Sequence, residues 1–140
     1  MRYLVDANVV CEPTKRFSVQ HVVEWLAANE SELVADSVTM GEIWRGVDAL
    51  PEGKKREELV AWFQKLLARM PTLEWTTETA LIWGEMVNEV KRSGYTVGLM
   101  DTMIAATAKR HNLIVATRNV DDFKRCGVAV LNPFEEESAS

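Results

Sequence analysis

The residues in this chain best suited to chemistry are carboxylates, and they recur at one kind of position. Asp6 follows the apolar run Tyr3-Leu4-Val5, and Glu42 stands early in the helical stretch after a second apolar run. Asp101 lies in the first turn of a helical segment that begins at Leu99, and Asn119 and Asp122 follow Leu113-Ile114-Val115-Ala116. Where such strand ends converge, three or four carboxylates face one cleft and either raise one another's pKa or hold a cation. Hard oxygen donors with few imidazoles or thiolates suit Mg²⁺ or Mn²⁺. Each residue also has a local explanation. Thr39-Met40-Gly41-Glu42 fits a Ser/Thr-x-x-Glu capping box, in which Glu42 only satisfies the first amides of a helix. Asp101 could serve the helix dipole alone, and Asn119 with Asp122 could be an N-cap and its reciprocal partner. Asp6 is harder to assign this way, because a carboxylate beside a buried strand is costly unless donors or charge compensate it. Individually these signals are weak, and their shared location is what favours a metal site.

Other chemistries have less support. His21 falls on the polar side of its helix and His111 beside basic residues, neither with a Ser or Cys nucleophile at a persuasive spacing. Cys11 and Cys126 are too few and too far apart for a disulfide framework or a thiolate metal site, so a reducing cytoplasm is expected. No Gly-x-Gly-x-x-Gly follows a strand and no Gly-Lys-Ser/Thr phosphate loop occurs, which removes the commonest nucleotide-binding motifs. The five tryptophans, Trp25, Trp44, Trp62, Trp75 and Trp83, are mostly spaced as helix-face residues, which favours packing over base stacking.

The elements that must position these groups alternate between continuous apolar strands and amphipathic helices. Strands are predicted at Tyr3–Val5, Glu32–Ala35, Thr72–Trp75, Leu113–Ala116 and Val128–Leu131, the first stopping at a polar turn, Asp6-Ala7-Asn8. Helical spacing marks Val19 to Leu26, the stretch through Ile43, Trp44 and Val47, Lys54 to Met70, Ala80 to about Ser93-Gly94, and Leu99 to Arg110. A short helical turn follows Asn119. The alternation predicts an α/β protein with a mostly parallel sheet of four to five strands covered on both faces. In such sheets functional groups collect beyond the carboxyl ends of the strands.

Length and composition agree with one unit. The chain has 140 residues, close to one domain's worth at roughly 150 residues each, with 47% hydrophobic and 26% charged residues. Residues 1–134 read as that unit, and 135–140 as an acidic tail. The amino terminus meets an acid too early for a signal peptide, and no stretch reaches ~18 apolar residues, so no membrane association is expected. Sixteen Lys and Arg against 21 Asp and Glu give a net charge of −5, which at first argues against a nucleic-acid partner.

Four segments taken in order change that reading. Val5-Asp6-Ala7-Asn8-Val9-Val10, Thr39-x-x-Glu42-x-x-x-Gly46, Met100-Asp101-x-x-Ile104-Ala105-Ala106-Thr107-Ala108 and Val115-Ala116-Thr117-Arg118-Asn119-x-x-Asp122-Phe123 resemble the PIN-domain ribonucleases. Within these, the likeness is to the VapC/FitB-type toxins of bacterial toxin–antitoxin pairs, and it extends to the closing Val130-Leu131-Asn132-Pro133-Phe134. The resemblance implies a three-layer α/β/α fold and a Mg²⁺- or Mn²⁺-dependent endoribonuclease. It implies Asp6, Glu42 and Asp101 as the acidic triad and metal ligands, with Asp122 as a fourth acidic position. Asn119 stands where an Asp often follows Thr-Arg in the family, and Asn8 and Thr117 match positions that hold ligands or water by hydrogen bonds. The resemblance further implies a homodimer silenced by a small VapB/FitA-like antitoxin, with the helices between Val19 and Met70 as a surface for it.

Two rivals belong to other classes. One is a non-catalytic PIN-like module that binds protein or RNA. The other is a phosphoacceptor receiver domain, which needs an Asp at the third strand end, where Thr72-Leu73-Glu74-Trp75 has none. The net charge also divides unevenly. Without the three tail glutamates and Asp6, Glu42, Asp101 and Asp122, 14 acids remain against 16 bases, so much of the negative charge is the predicted site itself.

Overall fold

In the computed structural model, which describes residues 1–135, the apolar runs become five short parallel strands. They are β1 (Tyr3–Val5), β2 (Leu33–Asp36), β3 (Thr72–Leu73), β4 (Ile114–Ala116) and β5 (Val130–Leu131), in the sheet order β3-β2-β1-β4-β5. The first three strands step outward from β1 in one direction, and the chain then returns to place β4 on its other side. That reversal beside β1 makes the carboxyl ends of β1 and β4 the switch point at which such sheets place their functional groups.

Seven helices connect and cover the strands: α1 (Ala7–Val10), α2 (Gln20–Ala28), α3 (Ser37–Asp48), α4 (Lys54–Arg69), α5 (Thr77–Arg92), α6 (Leu99–His111) and α7 (Val120–Arg125). The period-2 geometry of the strands sends alternate side chains to two cores. Leu4, Val34 and Val115 face α5 to α7 with Met86, Ile104 and Phe123, while Tyr3, Val5, Leu33 and Ala35 face α1 to α4 with Met40, Ile43 and Phe63. Ala105, Ala106 and Ala108 are fully buried, their small size letting α6 lie close to its neighbours. Asn112 closes α6 in the left-handed region at φ 54°, and Gly94 turns the chain after α5 at φ 83°. Trp25 meets Tyr3 edge to face and Trp44 stacks on Phe63, so these tryptophans pack as their spacing predicts.

Several local expectations are corrected. The polar turn after β1 is a helix, because Asp6 caps α1 by accepting from the Ala7 N–H at 2.9 Å. The second strand runs one residue further than predicted, to Asp36, which caps α3 by accepting from the Thr39 N–H at 2.8 Å. Thr39 therefore lies inside α3 and cannot be its cap, so the capping box with Glu42 does not form. The third and fifth strands shorten to two residues each. Of the acidic tail over 135–140, all but Glu135 lies outside the described residues.

Candidate active site

Asp6 stands at the end of β1, only 5% exposed, at the point where the strand order reverses. Its backbone N–H donates to the Ala116 carbonyl at 3.0 Å, which extends the β1–β4 pairing to the cleft floor. Its Oδ2 accepts from the Thr117 hydroxyl at 2.7 Å and from Asn8 Nδ2 at 3.1 Å. Asn8 in turn accepts the Arg118 N–H at 3.1 Å on its Oδ1, so one amide ties α1 to the segment after β4. Burial pushes the Asp6 carboxyl above its usual range despite the opposing bonds from Thr117, Ala7 and Asn8.

Asp101, in the first turn of α6, enters from the other side. Burial, then the charges of Asp6 and Asp122, and lastly Glu42, push its pKa up to about 6, against a lowering hydrogen bond from Asn119. Asn119 does not cap α7 with its side chain. Its Nδ2 donates to Asp101 Oδ2 at 2.7 Å and to Asp122 Oδ2 at 3.0 Å, holding the two carboxylates on either side of one amide. Its own N–H donates to Thr117 Oγ1 at 3.0 Å, which joins this half of the site to Asp6. Asp122 also pairs with Arg125, Oδ1 to Nη1, at 3.4 Å.

Glu42 reaches the group by charge. It projects from the second turn of α3, where burial and then the negative charge of Asp6 raise its pKa, with Arg45 opposing. Of the predicted residues, Asp6, Asn8, Asp101, Thr117, Asn119 and Asp122 thus form one hydrogen-bonded network, and Glu42 faces it. Among the described residues no three His, Cys, Asp or Glu side chains already cluster as a finished metal cage. His21 lies elsewhere, its Nε2 2.8 Å from the Phe134 carbonyl. Cys11 and Cys126 border the acids as free thiols whose pKa burial, followed by nearby carboxylate charge, pushes up to about 11, so neither is a ready thiolate.

One acid escaped the sequence reading. Asp36 is 1% exposed at the end of β2, with its Oδ2 unbonded among the described residues, and burial raises its pKa. Its signal was available, because Asp36 follows Leu33-Val34-Ala35 as Asp6 follows Tyr3-Leu4-Val5. Apart from the acids, an apolar hollow of about 380 Å³ opens between α2 and α4, lined by Val23, Leu26, Trp62, Leu66 and Met70 among others.

Comparison with known proteins agrees in sequence and shape. A family model described as PIN domain matches residues 3–128. Toxin FitB of Neisseria gonorrhoeae is 33% identical over 137 residues, covering 95% of this chain and 99% of that protein. The VapC ribonuclease Y4jK of Sinorhizobium fredii is 31% identical over 140 residues, covering 94% of this chain and 97% of that protein. Among solved structures, that of FitAB bound to an IR36 DNA fragment superposes with a TM-score of 0.92 at 31% identity, covering 99% of each chain.

Proposed function

The chain belongs to the PIN-domain family, and from that premise we propose that it is the toxin of a type II toxin–antitoxin pair, a metal-dependent endoribonuclease that cuts single-stranded regions of RNA. The observation that carries this reading is the hydrogen-bonded network at the sheet's reversal that joins Asp6 through Thr117 and Asn119 to Asp101 and Asp122, where burial first, and then the charges of Asp6, Asp122 and Glu42, push the pKa of Asp101 up to about 6. Repulsion of this kind is relieved by a cation, and an all-oxygen donor set suits Mg²⁺ or Mn²⁺. The relatives named toxin and ribonuclease favour the enzyme over a non-catalytic binding module.

Asp6, Asp101 and Glu42 are the residues we assign to hold the ion, with Asp122 as the fourth acid. When bound, it supplies a water acidified for attack and neutralises charge developing on the phosphate oxygens. The chain's own groups do the positioning. Thr117 and Asn8 fix the Asp6 carboxylate, Asn119 keeps Asp101 and Asp122 from separating, and Glu42 orients the attacking water. In-line attack then leaves a 5′-phosphate and a 3′-hydroxyl.

The hollow between α2 and α4 is the surface assigned to a small VapB/FitA-like antitoxin, since its apolar lining suits an amphipathic peptide. The free thiols fit a reducing cytoplasm, and among the described residues no helix is long and apolar enough to cross a membrane. The toxin reading also includes a homodimer. Light scattering of the isolated chain at micromolar concentration should give the mass of two copies, and a clean monomer counts against the dimer.

The decisive experiment compares wild type with Asp6→Asn on single-stranded RNA, with Mg²⁺ or Mn²⁺ and with EDTA. Wild type should cleave only with the metal and leave 5′-phosphate ends. The variant should keep its circular dichroism spectrum and lose cleavage by roughly 10²-fold or more. A well-folded Asp6→Asn chain that still cleaves in a metal-dependent way overturns the assignment.

A further inference from the structure

Acids that hydrolyse a phosphodiester repel the strand that contains it, so a nuclease of net charge −5 needs a local positive surface to hold its substrate. One such surface follows α1, the helix that Asp6 starts. The segment after α1 carries Lys15, Arg16 and Phe17, all exposed, and Phe17 is 85% exposed, the most exposed of the large hydrophobic side chains. The other phenylalanines differ: Phe63 and Phe123 are buried and Phe134 is half-buried. A fully presented aromatic ring is informative because burial is the usual fate of such a side chain.

The loop that presents it is staked at both ends. Glu12, 2% exposed, accepts the Val19 N–H on Oε1 at 2.9 Å and pairs through Oε2 with Lys15 Nζ at 3.0 Å, while the Thr14 hydroxyl donates to the Cys11 carbonyl at 2.6 Å. Arg118 reaches the same place from the segment after β4. Its backbone N–H is bonded to Asn8 in the site, its charge acts on Glu12, and its guanidinium stacks on the Phe134 ring at 3.7 Å. Phe134 is itself anchored, its carbonyl 2.8 Å from His21 Nε2 and its N–H donating to Asn132 Oδ1 at 3.0 Å. Arg56, Arg110 and Arg125 each pair with a carboxylate, whereas Arg118 makes no salt bridge among the described residues. Arg16 lies over Phe17 at 5.3 Å from the ring centroid.

We infer that Lys15, Arg16, Phe17 and Arg118 form a rim that grips single-stranded RNA beside the cleavage site, with Phe17 stacking on a base and Arg118, braced by Phe134, holding a backbone phosphate. Exposed aromatic rings alternating with cations are what single-stranded nucleic acid binds, since every base has a stacking face and every nucleotide a phosphate. Arg118 is a binding residue here and touches no acid of the triad by its side chain. The inference rests on the nuclease reading for the identity of the strand, but its test is separable from that reading.

The test uses fluorescence anisotropy of a labelled, unstructured RNA of mixed sequence, titrated with Asp6→Asn protein in Mg²⁺. Adding Phe17→Ala should weaken binding roughly tenfold or more with the salt dependence unchanged, and Phe17→Trp should restore it. Adding Arg118→Ala should weaken binding and lower the slope of log affinity against log salt by about 0.7, the loss of one phosphate contact with a single strand. All these side chains are exposed, so unchanged thermal midpoints are expected and should be recorded. Unchanged RNA affinity in both alanine variants overturns the inference. So does a Phe17→Ala chain that binds RNA normally but loses its dimeric mass in light scattering, because the loop is then a protein contact. Cleavage by wild type of the same RNA is the separate control. If wild type cleaves while the variants bind normally, only the rim fails; if it never cleaves while binding still depends on Phe17 and Arg118, the rim stands and the nuclease reading fails.

Discussion

Asp101 is the residue whose surroundings say most about the site. With its pKa pushed up to about 6 by burial and by Asp6, Asp122 and Glu42, it binds a proton more readily folded than unfolded, where a carboxyl titrates near its ordinary 3.8. Between these two values the native state therefore holds more protons than the unfolded chain, and stability falls as pH rises. Asp6, Glu42 and Asp36 are raised too and act in the same direction. Glu12 is the exception: burial raises it, but the Val19 N–H, Lys15 and Arg118 outweigh that, so its opposite effect lies below its ordinary 4.5. The metal-free protein should accordingly melt at a higher temperature at pH 5 than at pH 7, and Mn²⁺ affinity by calorimetry should weaken as pH falls through 6. A melting temperature that rises from pH 5 to pH 7 without metal would show that the carboxylates do not repel one another as described.

At the scale of elements, the site depends on how each helix is started. Asp6 starts α1 and Asp36 starts α3, and in both a carboxylate at a strand end accepts the first amides of the next helix. Asp36 has no bond to the predicted ligands, and its Oδ2 is unbonded among the described residues, so its contribution is to aim α3, the helix that carries Glu42. Asp36→Ala should cost about 1 kcal/mol or somewhat more in urea unfolding through loss of the cap. Asp36→Asn keeps an acceptor for the Thr39 N–H and removes a buried charge, so it should be as stable as wild type or more so at pH 7. If the two variants destabilise equally, the charge of Asp36 matters beyond the cap. The sequence pattern found α3 and the strands because hydrophobic period is local, and it missed α1 because four residues are too few to show a helical period. It missed the role of Asp36 because the predicted strand, displaced by one residue toward the amino terminus, ended before the residue that closes β2 and caps α3.

For the whole molecule, the negative charge and the proposed activity are reconciled by where the charges lie. Asp6, Glu42, Asp101 and Asp122 hold much of it together in one group, while Lys15 and Arg118 lie around Glu12 and Arg16 over Phe17 in the segment after α1. RNA should therefore bind a cleavage-deficient Glu42→Gln chain more tightly with Mn²⁺ than with EDTA, in anisotropy at fixed ionic strength. Affinity indifferent to the metal would separate the acids from the RNA path.

By itself the sequence determined the five strands, the helices other than α1, the parallel sheet and the candidate acids other than Asp36, because apolar periodicity and the resemblance of four motifs are properties of residues near one another in the chain. It left each acid with two explanations, a helix cap or a ligand. Only the tertiary structure decided their contacts, by showing that Thr39 is no cap of α3, that Asp6 caps α1 and also accepts from Thr117, and that Asn119 spends its amide on Asp101 and Asp122. The physical reason is separation: Asp6 and Thr117 lie 111 positions apart, and no local pattern encodes a contact that exists only because β4 returns to pair with β1.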